Sequence, residues 1–224
     1  MPGRPYLIVI EGISAAGKHT QATLLQKTLV TEGYDAHLVS FPLYGETTGA
    51  ALKLVLKSRH PFSAREISML FAVDRFSAKK LLKHINPKKQ RVMILDRYTT
   101  SAAAIQSVQM RREGASASEV KEFTRWLENL EYAVFKVPRE DQVLFLDVPP
   151  RETLKLLKAR ERRDVHNRAL DNFEKNLTMQ EEIYATLQHF SQTKRHWKRI
   201  ACMRHGVLRS AQEIAKLVRR AVTL

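Results

Sequence analysis

The stretch Gly12-Ile-Ser-Ala-Ala-Gly17-Lys18-His19-Thr20 follows the apolar run Tyr6–Ile10 after one residue, Glu11. Its spacing is that of a phosphate-binding loop, G-x-x-x-x-G-K, with histidine where serine or threonine is expected. Backbone N–H groups of such a loop (here Gly12, Ser14, Ala15, Ala16 and Gly17) converge on an anion. The helix that follows, opened by Lys18, His19 and Thr20, adds its positive N-terminal end. The Lys18 ammonium supplies a mobile point charge for the outer phosphates. His19 removes the hydroxyl that ordinarily ligates Mg²⁺, a hard ion that prefers oxygen. Thr20 lies about 100° further around the helix and does not replace it. Asp96, which closes the apolar run Val92–Asp96, is the remaining candidate for a metal carboxylate, acting through water; a helix cap or an ion pair with Arg97 is the alternative. Arg97 has the guanidinium fork that binds phosphate oxygens two at a time, unless it is spent on Asp96. Phe71 and Arg75 stand four apart on one helical stripe, so an aromatic plane and a hydrogen-bond donor share a face. Phe71 reads equally well as core, whereas an unpaired buried guanidinium at Arg75 would be costly.

These residues must be positioned by the elements around them. Tyr6–Ile10, Ala36–Phe41, Val92–Asp96, Val143–Val148 and Arg199–Met203 read as strands. Helical spacing covers Lys18–Glu32, Thr48–Lys57, Ser63–Ile85, Thr99–Gln109, Ala117–Phe135, Glu152–Ala159, Asp171–Gln192 and Ser210–Val222. Arg160–Arg168 has almost no apolar content and reads as a mobile loop. The alternation predicts an α/β domain spanning 1–224, a three-layer sandwich with a five-stranded parallel sheet between helices. Ligands of such sheets bind beyond the carboxyl ends of the strands, where the loop, Phe41-Pro42 and Asp96-Arg97 all fall.

The 224 residues carry 38 Lys+Arg against 23 Asp+Glu, a net charge of +15, which predicts anionic partners. The excess sits in three segments. Lys79–Arg91 holds six basic residues and no acid, Lys155–Arg168 is net +4, and Lys194–Arg204 holds five basic residues and no acid. The first and last fit a solvated surface that steers anionic nucleotides better than a nucleic-acid site. One cysteine, Cys202, excludes an intrachain disulfide and suggests a reducing compartment. No apolar run approaches the roughly 18 residues of a membrane span, and no signal peptide is read before the first strand. A cytoplasmic protein that does not engage membranes is expected.

The ordered series Glu11–Gln21, Phe41-Pro42-Leu-Tyr44-Gly45, Phe71-Ala-Val-Asp-Arg75 and Asp96-Arg97-Tyr98-Thr-Thr-Ser101, then a basic segment before Asp171-Asn-Phe-Glu174, resembles the thymidylate kinase family of P-loop nucleoside-monophosphate kinases. The resemblance runs over essentially the whole chain. It implies ATP with Mg²⁺ as donor, dTMP as acceptor and a homodimer. It further implies that Phe41 and Pro42 line the base pocket, that Tyr44 stands near the acceptor phosphate, and that Phe71 stacks on thymine while Arg75 meets its carbonyl edge. Ser101, Asp171 and Glu174 match family positions around the acceptor and the lid hinge. Residues 158–170 match the lid, with Arg160, Arg163 and Arg168 as its candidate catalytic cations. An acidic first helical turn or a solvated loop is the plainer alternative there. Ser14 replaces a usual acidic residue, and Ala102 and Ile105 replace polar and aromatic pocket residues. Those departures keep two other readings open: a kinase for another nucleoside monophosphate, or a weakly catalytic nucleotide-binding protein with a basic surface for nucleic acid.

Overall fold

Five parallel strands form the central layer in the order β2-β3-β1-β4-β5. They are β1 (Tyr6–Glu11), β2 (Asp35–Ser40), β3 (Arg91–Asp96), β4 (Gln142–Asp147) and β5 (Trp197–Ala201). The structure, a computed structural model, describes residues 4–58, 62–79, 90–163 and 176–224, and over 160–163 the backbone alone. β1, β3 and β4 are buried along nearly their whole length, as strands covered on both faces must be. Leu7–Ile10, Val92–Leu95 and Val143–Leu146 supply the centre of the core.

The helices are α1 (Lys18–Thr31), α2 (Thr47–Lys57), α3 (Ala64–Ser77), α4 (Thr99–Arg112), α5 (Ala117–Glu128), α6 (Pro150–Arg163), α7 (Leu177–Thr193) and α8 (Ala211–Ala221). One device opens α3, α5 and α8: Ser63, Ser116 and Ser210 each form a capping box with a glutamate three residues on. α1 and α8 pack together beside β2 and β5, while α4 packs with α7, and α3, α5 and α6 build outward from that pair. β1 connects to β2 across β3, and β3 connects to β4 across β1. The chain therefore leaves neighbouring strands β1 and β3 in opposite directions, and their carboxyl ends open a crevice.

Four expected boundaries need correction. The helix of α6 continues through Arg163 instead of yielding to a loop at Arg160, because Lys, Arg and Glu are good helix formers even without apolar content. The segment expected as one helix over Ala117–Phe135 changes at Asn129 into a π-helical segment, Asn129–Val134. α7 starts at Leu177, where the Asn176 side chain caps the Met179 N–H; the expected start at Asp171 lies outside the described residues. β5 sits two residues earlier than expected, because Trp197 and Ile200 are its buried positions. Cys202 then leads into a small hairpin, Met203–Arg204 with Val207–Leu208, turned by His205 and Gly206, both with positive φ.

Candidate active site

The phosphate loop bridges β1 and α1. Gly17 is the N-cap of α1 in the left-handed region, φ 86°, and α1 has no side-chain cap. That leaves the start of the helix in the form in which anions are bound by main-chain N–H groups. Ala15 also takes a positive φ of 59°, a strained conformation of the kind that clusters at ligand sites. A Cβ on Gly12 would meet Ala16 at 3.1 Å and the Leu146 carbonyl at 3.3 Å. The loop is thus pressed against β4 through that glycine. Lys18 is buried, and its Nζ donates to the carbonyls of Gly12 (2.9 Å) and Ile13 (2.7 Å). Ser14 is buried, and its N–H donates to Gln180 Oε1 of α7 at 3.1 Å.

His19 turns toward the end of β3. Its Nδ1 lies 3.3 Å from Asp96 Oδ2 and 3.4 Å from Ser40 Oγ. Ser40 and Asp96 are register partners at the ends of β2 and β3, which is why three residues distant in sequence share one point. The expected alternative pairing of Asp96 with Arg97 is not what the described side chains make; Asp96 meets His19 instead. This donor set is a test of Mg²⁺. Asp96 suits it, directly or through water, but position 19 offers an imidazole nitrogen where a hard ion requires oxygen. The set does not fit Mg²⁺ held by a residue-19 hydroxyl.

On the other side of the loop a small cleft is lined by Glu11, Ser14, Arg97, Ser101, Ile105 and Gln180, among others. Arg97 has φ 66°, so the chain makes a strained turn directly after β3. Glu11 is almost fully buried at the end of β1 and accepts from Thr100 Oγ1 (2.5 Å) and from Ser101 Oγ (2.8 Å to both oxygens). Burial pushes its carboxyl above the ordinary value, against the opposing pull of the two hydroxyls, Arg97 and Lys18.

Buried polar pairs join α3, the segment Asn129–Val134 and the start of α4. Arg75 is not unpaired: its Nε donates to Glu131 Oε1 at 2.9 Å and a terminal nitrogen also reaches that carboxylate, both side chains being buried. The argument that a lone buried guanidinium demands a ligand is thereby overturned, and a base-reading role for Arg75 rests on the resemblance. Glu131 is supplied by the π-helical segment. Tyr132 in the same segment bonds Thr99 (2.5 Å) and Glu140 (2.8 Å). Phe41 is buried and tilts against Tyr98, ring centroids 5.9 Å apart, and the Phe41–Pro42 bond is cis. Phe71 and Pro42 are half-buried, Ala102 is buried and Ile105 is half-buried. Tyr44 is exposed beside the Lys53 ammonium, 5.9 Å from its ring centre. A Cβ on Gly49 of α2 would stand 2.0 Å from the Leu43 carbonyl, so the loop bearing Pro42 and Tyr44 closes over a glycine.

The crevice therefore gathers Gly12–Thr20, Asp96, Arg97, Ser101 and Ile105. Arg160 and Arg163 lie on the backbone of the last turn of α6. Arg168, Asp171 and Glu174 lie outside the described residues, as does most of the expected lid. Sequence reasoning gave no role to Glu11, Ser40, Thr100, Glu131 or Gln180. A charged residue closing an otherwise apolar strand could have marked Glu11. Nothing local marks Glu131 or Gln180, whose partners are 56 and 166 residues away.

A phosphate loop at the carboxyl edge of a parallel sheet, with an arginine directly after the neighbouring strand, defines a P-loop phosphotransferase of the nucleoside-monophosphate kinase kind. The chain belongs to the thymidylate kinase family, whose family model matches residues 10–205. A thymidylate kinase of Mycobacterium tuberculosis is 29% identical over 188 residues, covering 81% of this chain and 85% of that protein. A probable thymidylate kinase of Pyrococcus abyssi is 32% identical over 188 residues, covering 80% of each. The solved structure of thymidylate kinase from Candida albicans superposes with a TM-score of 0.72 at 17% identity, over 97% of this chain and 90% of that one. That likeness bears on the fold.

Proposed function

We propose that this chain moves the γ-phosphoryl group of ATP to the phosphate of dTMP, giving ADP and dTDP. The observation that carries the reading is the juxtaposition, at one crevice, of the Gly12–Thr20 loop with Arg97. Lys18 and the loop N–H groups hold the ATP phosphates. Arg97 clamps the acceptor phosphate, so that one of its oxygens attacks the γ-phosphorus as the bond to the β-bridging oxygen breaks. Charge spreads over the equatorial oxygens in that transition, so catalysis is mainly positioning and cationic stabilisation. Arg160, Arg163 and Arg168 supply further cations from the lid. Phe41, Pro42, Phe71 and Arg75 enclose the base, with Tyr44, Ser101, Ala102, Ile105, Asp171 and Glu174 around the sugar and phosphate. A divalent ion accompanies ATP; Mg²⁺, which the resemblance implies, would meet Asp96 through water.

The chain acts as one cytoplasmic domain over 1–224 and as a homodimer. Supporting the dimer, α3 exposes Met69, Val73 and Phe76 on one stripe, with Leu54 of α2 (73% exposed) and Val134 (61%) also uncovered. Among the described residues no helix is long and apolar enough to cross a membrane.

The test is ADP release across a panel of nucleoside monophosphates. Stimulation by dTMP above UMP and CMP is expected. Equal or greater stimulation by UMP or CMP, which the aliphatic Ile105 in the cleft would permit, replaces dTMP as the acceptor. No stimulation by any of them removes the kinase reading.

A further inference from the structure

His19 stands where a phosphate loop normally offers its metal-binding hydroxyl, and it does not point away from that task. Its Nδ1 shares a point with Asp96 Oδ2 (3.3 Å) and Ser40 Oγ (3.4 Å), directly beside Lys18. Two adjacent ligands of an ion with bonds of roughly 2.1 Å at right angles stand roughly 3.0 Å apart. The imidazole nitrogen and the carboxylate oxygen are already close to that separation. The two groups differ in exposure: the His19 side chain is 71% exposed and Asp96 13%. The carboxylate is thus fixed by the sheet, while the ring can adjust at small cost.

We propose that His19 and Asp96 form a mixed nitrogen–oxygen site that selects the divalent ion travelling with ATP, favouring first-row transition ions over Mg²⁺. The reasoning is ligand chemistry. Mg²⁺ demands oxygen ligands in near-ideal octahedral geometry. Imidazole is a poor partner for it and a good one for ions later in the first row, whose affinity for nitrogen sites rises from Mn²⁺ through Co²⁺ and Ni²⁺. Restoring a hydroxyl at position 19 reverses that preference without touching Asp96. The inference rests on the phosphate-loop reading, since the ion is placed beside bound ATP.

The experiment uses the full chain at pH 8 with a non-hydrolysable ATP analogue. Analogue binding is measured first, both without metal and with Mg²⁺ in excess; its absence under both conditions overturns the phosphate-loop reading and this proposal together. With analogue bound, Mn²⁺ is added and electron spin-echo spectroscopy is used to look for ¹⁴N coupling. Coupling in the parent chain that disappears in His19→Thr is expected. In parallel, calorimetry gives the ratio of Mg²⁺ to Co²⁺ dissociation constants. That ratio is expected to be at least about tenfold larger in the parent than in His19→Thr. Normal analogue binding with no nitrogen coupling, or an unchanged ratio, overturns the metal selection alone.

Discussion

The two sides of the crevice are built differently. On the donor side, Lys18 bonds carbonyls five and six residues away, and His19 reaches Asp96 from a largely exposed position. On the acceptor side, Glu11 is sealed under Thr100 and Ser101, and Arg75 under Glu131, each pair joined across long stretches of chain. The donor side is a loop whose own carbonyls hold the Lys18 ammonium, with His19 at its exposed rim. The acceptor side is a set of desolvated polar pairs whose loss the fold must feel. The difference teaches that a charge held by loop carbonyls and a charge sealed against a buried carboxylate are separable by what breaks when each is removed.

The largest effect should be on the donor side. Lys18→Ala is expected to lower turnover by on the order of 10²–10³ fold while thermal unfolding changes little; a large fall in Tm would erase the contrast. Arg75→Ala comes next and should act in the opposite way. It strands Glu131 in the core and is expected to cost about 3–5 kcal/mol of stability, read by denaturant unfolding. Normal stability with a raised KM for dTMP alone would leave Arg75 its proposed place around the base and remove the structural role.

Glu11 makes a subtler claim. Its folded carboxyl titrates above its unfolded value because burial outweighs its hydrogen bonds and nearby cations. The folded state therefore binds the extra proton between the two values. Stability should fall as pH rises from the unfolded carboxylate range to the raised value and then level off, with a slope of at most about 1.4 kcal/mol per pH unit. Glu11→Gln should flatten that slope in urea titrations across pH, and an identical slope would show that Glu11 is not its source. The smallest effect concerns Ser14, buried in the cleft beside Arg97. Ser14→Asp, which restores the acidic residue usual in this family, is expected to raise turnover with dTMP a few-fold, roughly 1 kcal/mol in barrier. Lower turnover would assign the gap to Gln180, which already holds the Ser14 N–H.

The same contrast explains what could be read from residues alone. β1, β3 and β4 were legible to within a residue, because continuous apolar runs of that length suit a doubly covered parallel strand. The phosphate loop was legible because its function requires fixed local spacing. The acceptor wall was not. Glu131 reaches Arg75 through a π-helical segment inside an otherwise regular helical pattern, and no periodicity announces that change. The charged tail of α6 misled for a related reason, since lack of apolar residues marks exposure and not the absence of a helix.

Cys202 lies fully buried beyond β5, and burial, with Asp147 nearby, pushes its thiol up to about 12. It is the single cysteine of the chain. At neutral pH a thiol in that state is almost entirely protonated and out of reach of alkylating reagents. The molecule thus carries a built-in chemical clock. The rate at which Cys202 is trapped by a thiol reagent counts openings of the β5 edge, with no label to install and no second thiol to confuse the count.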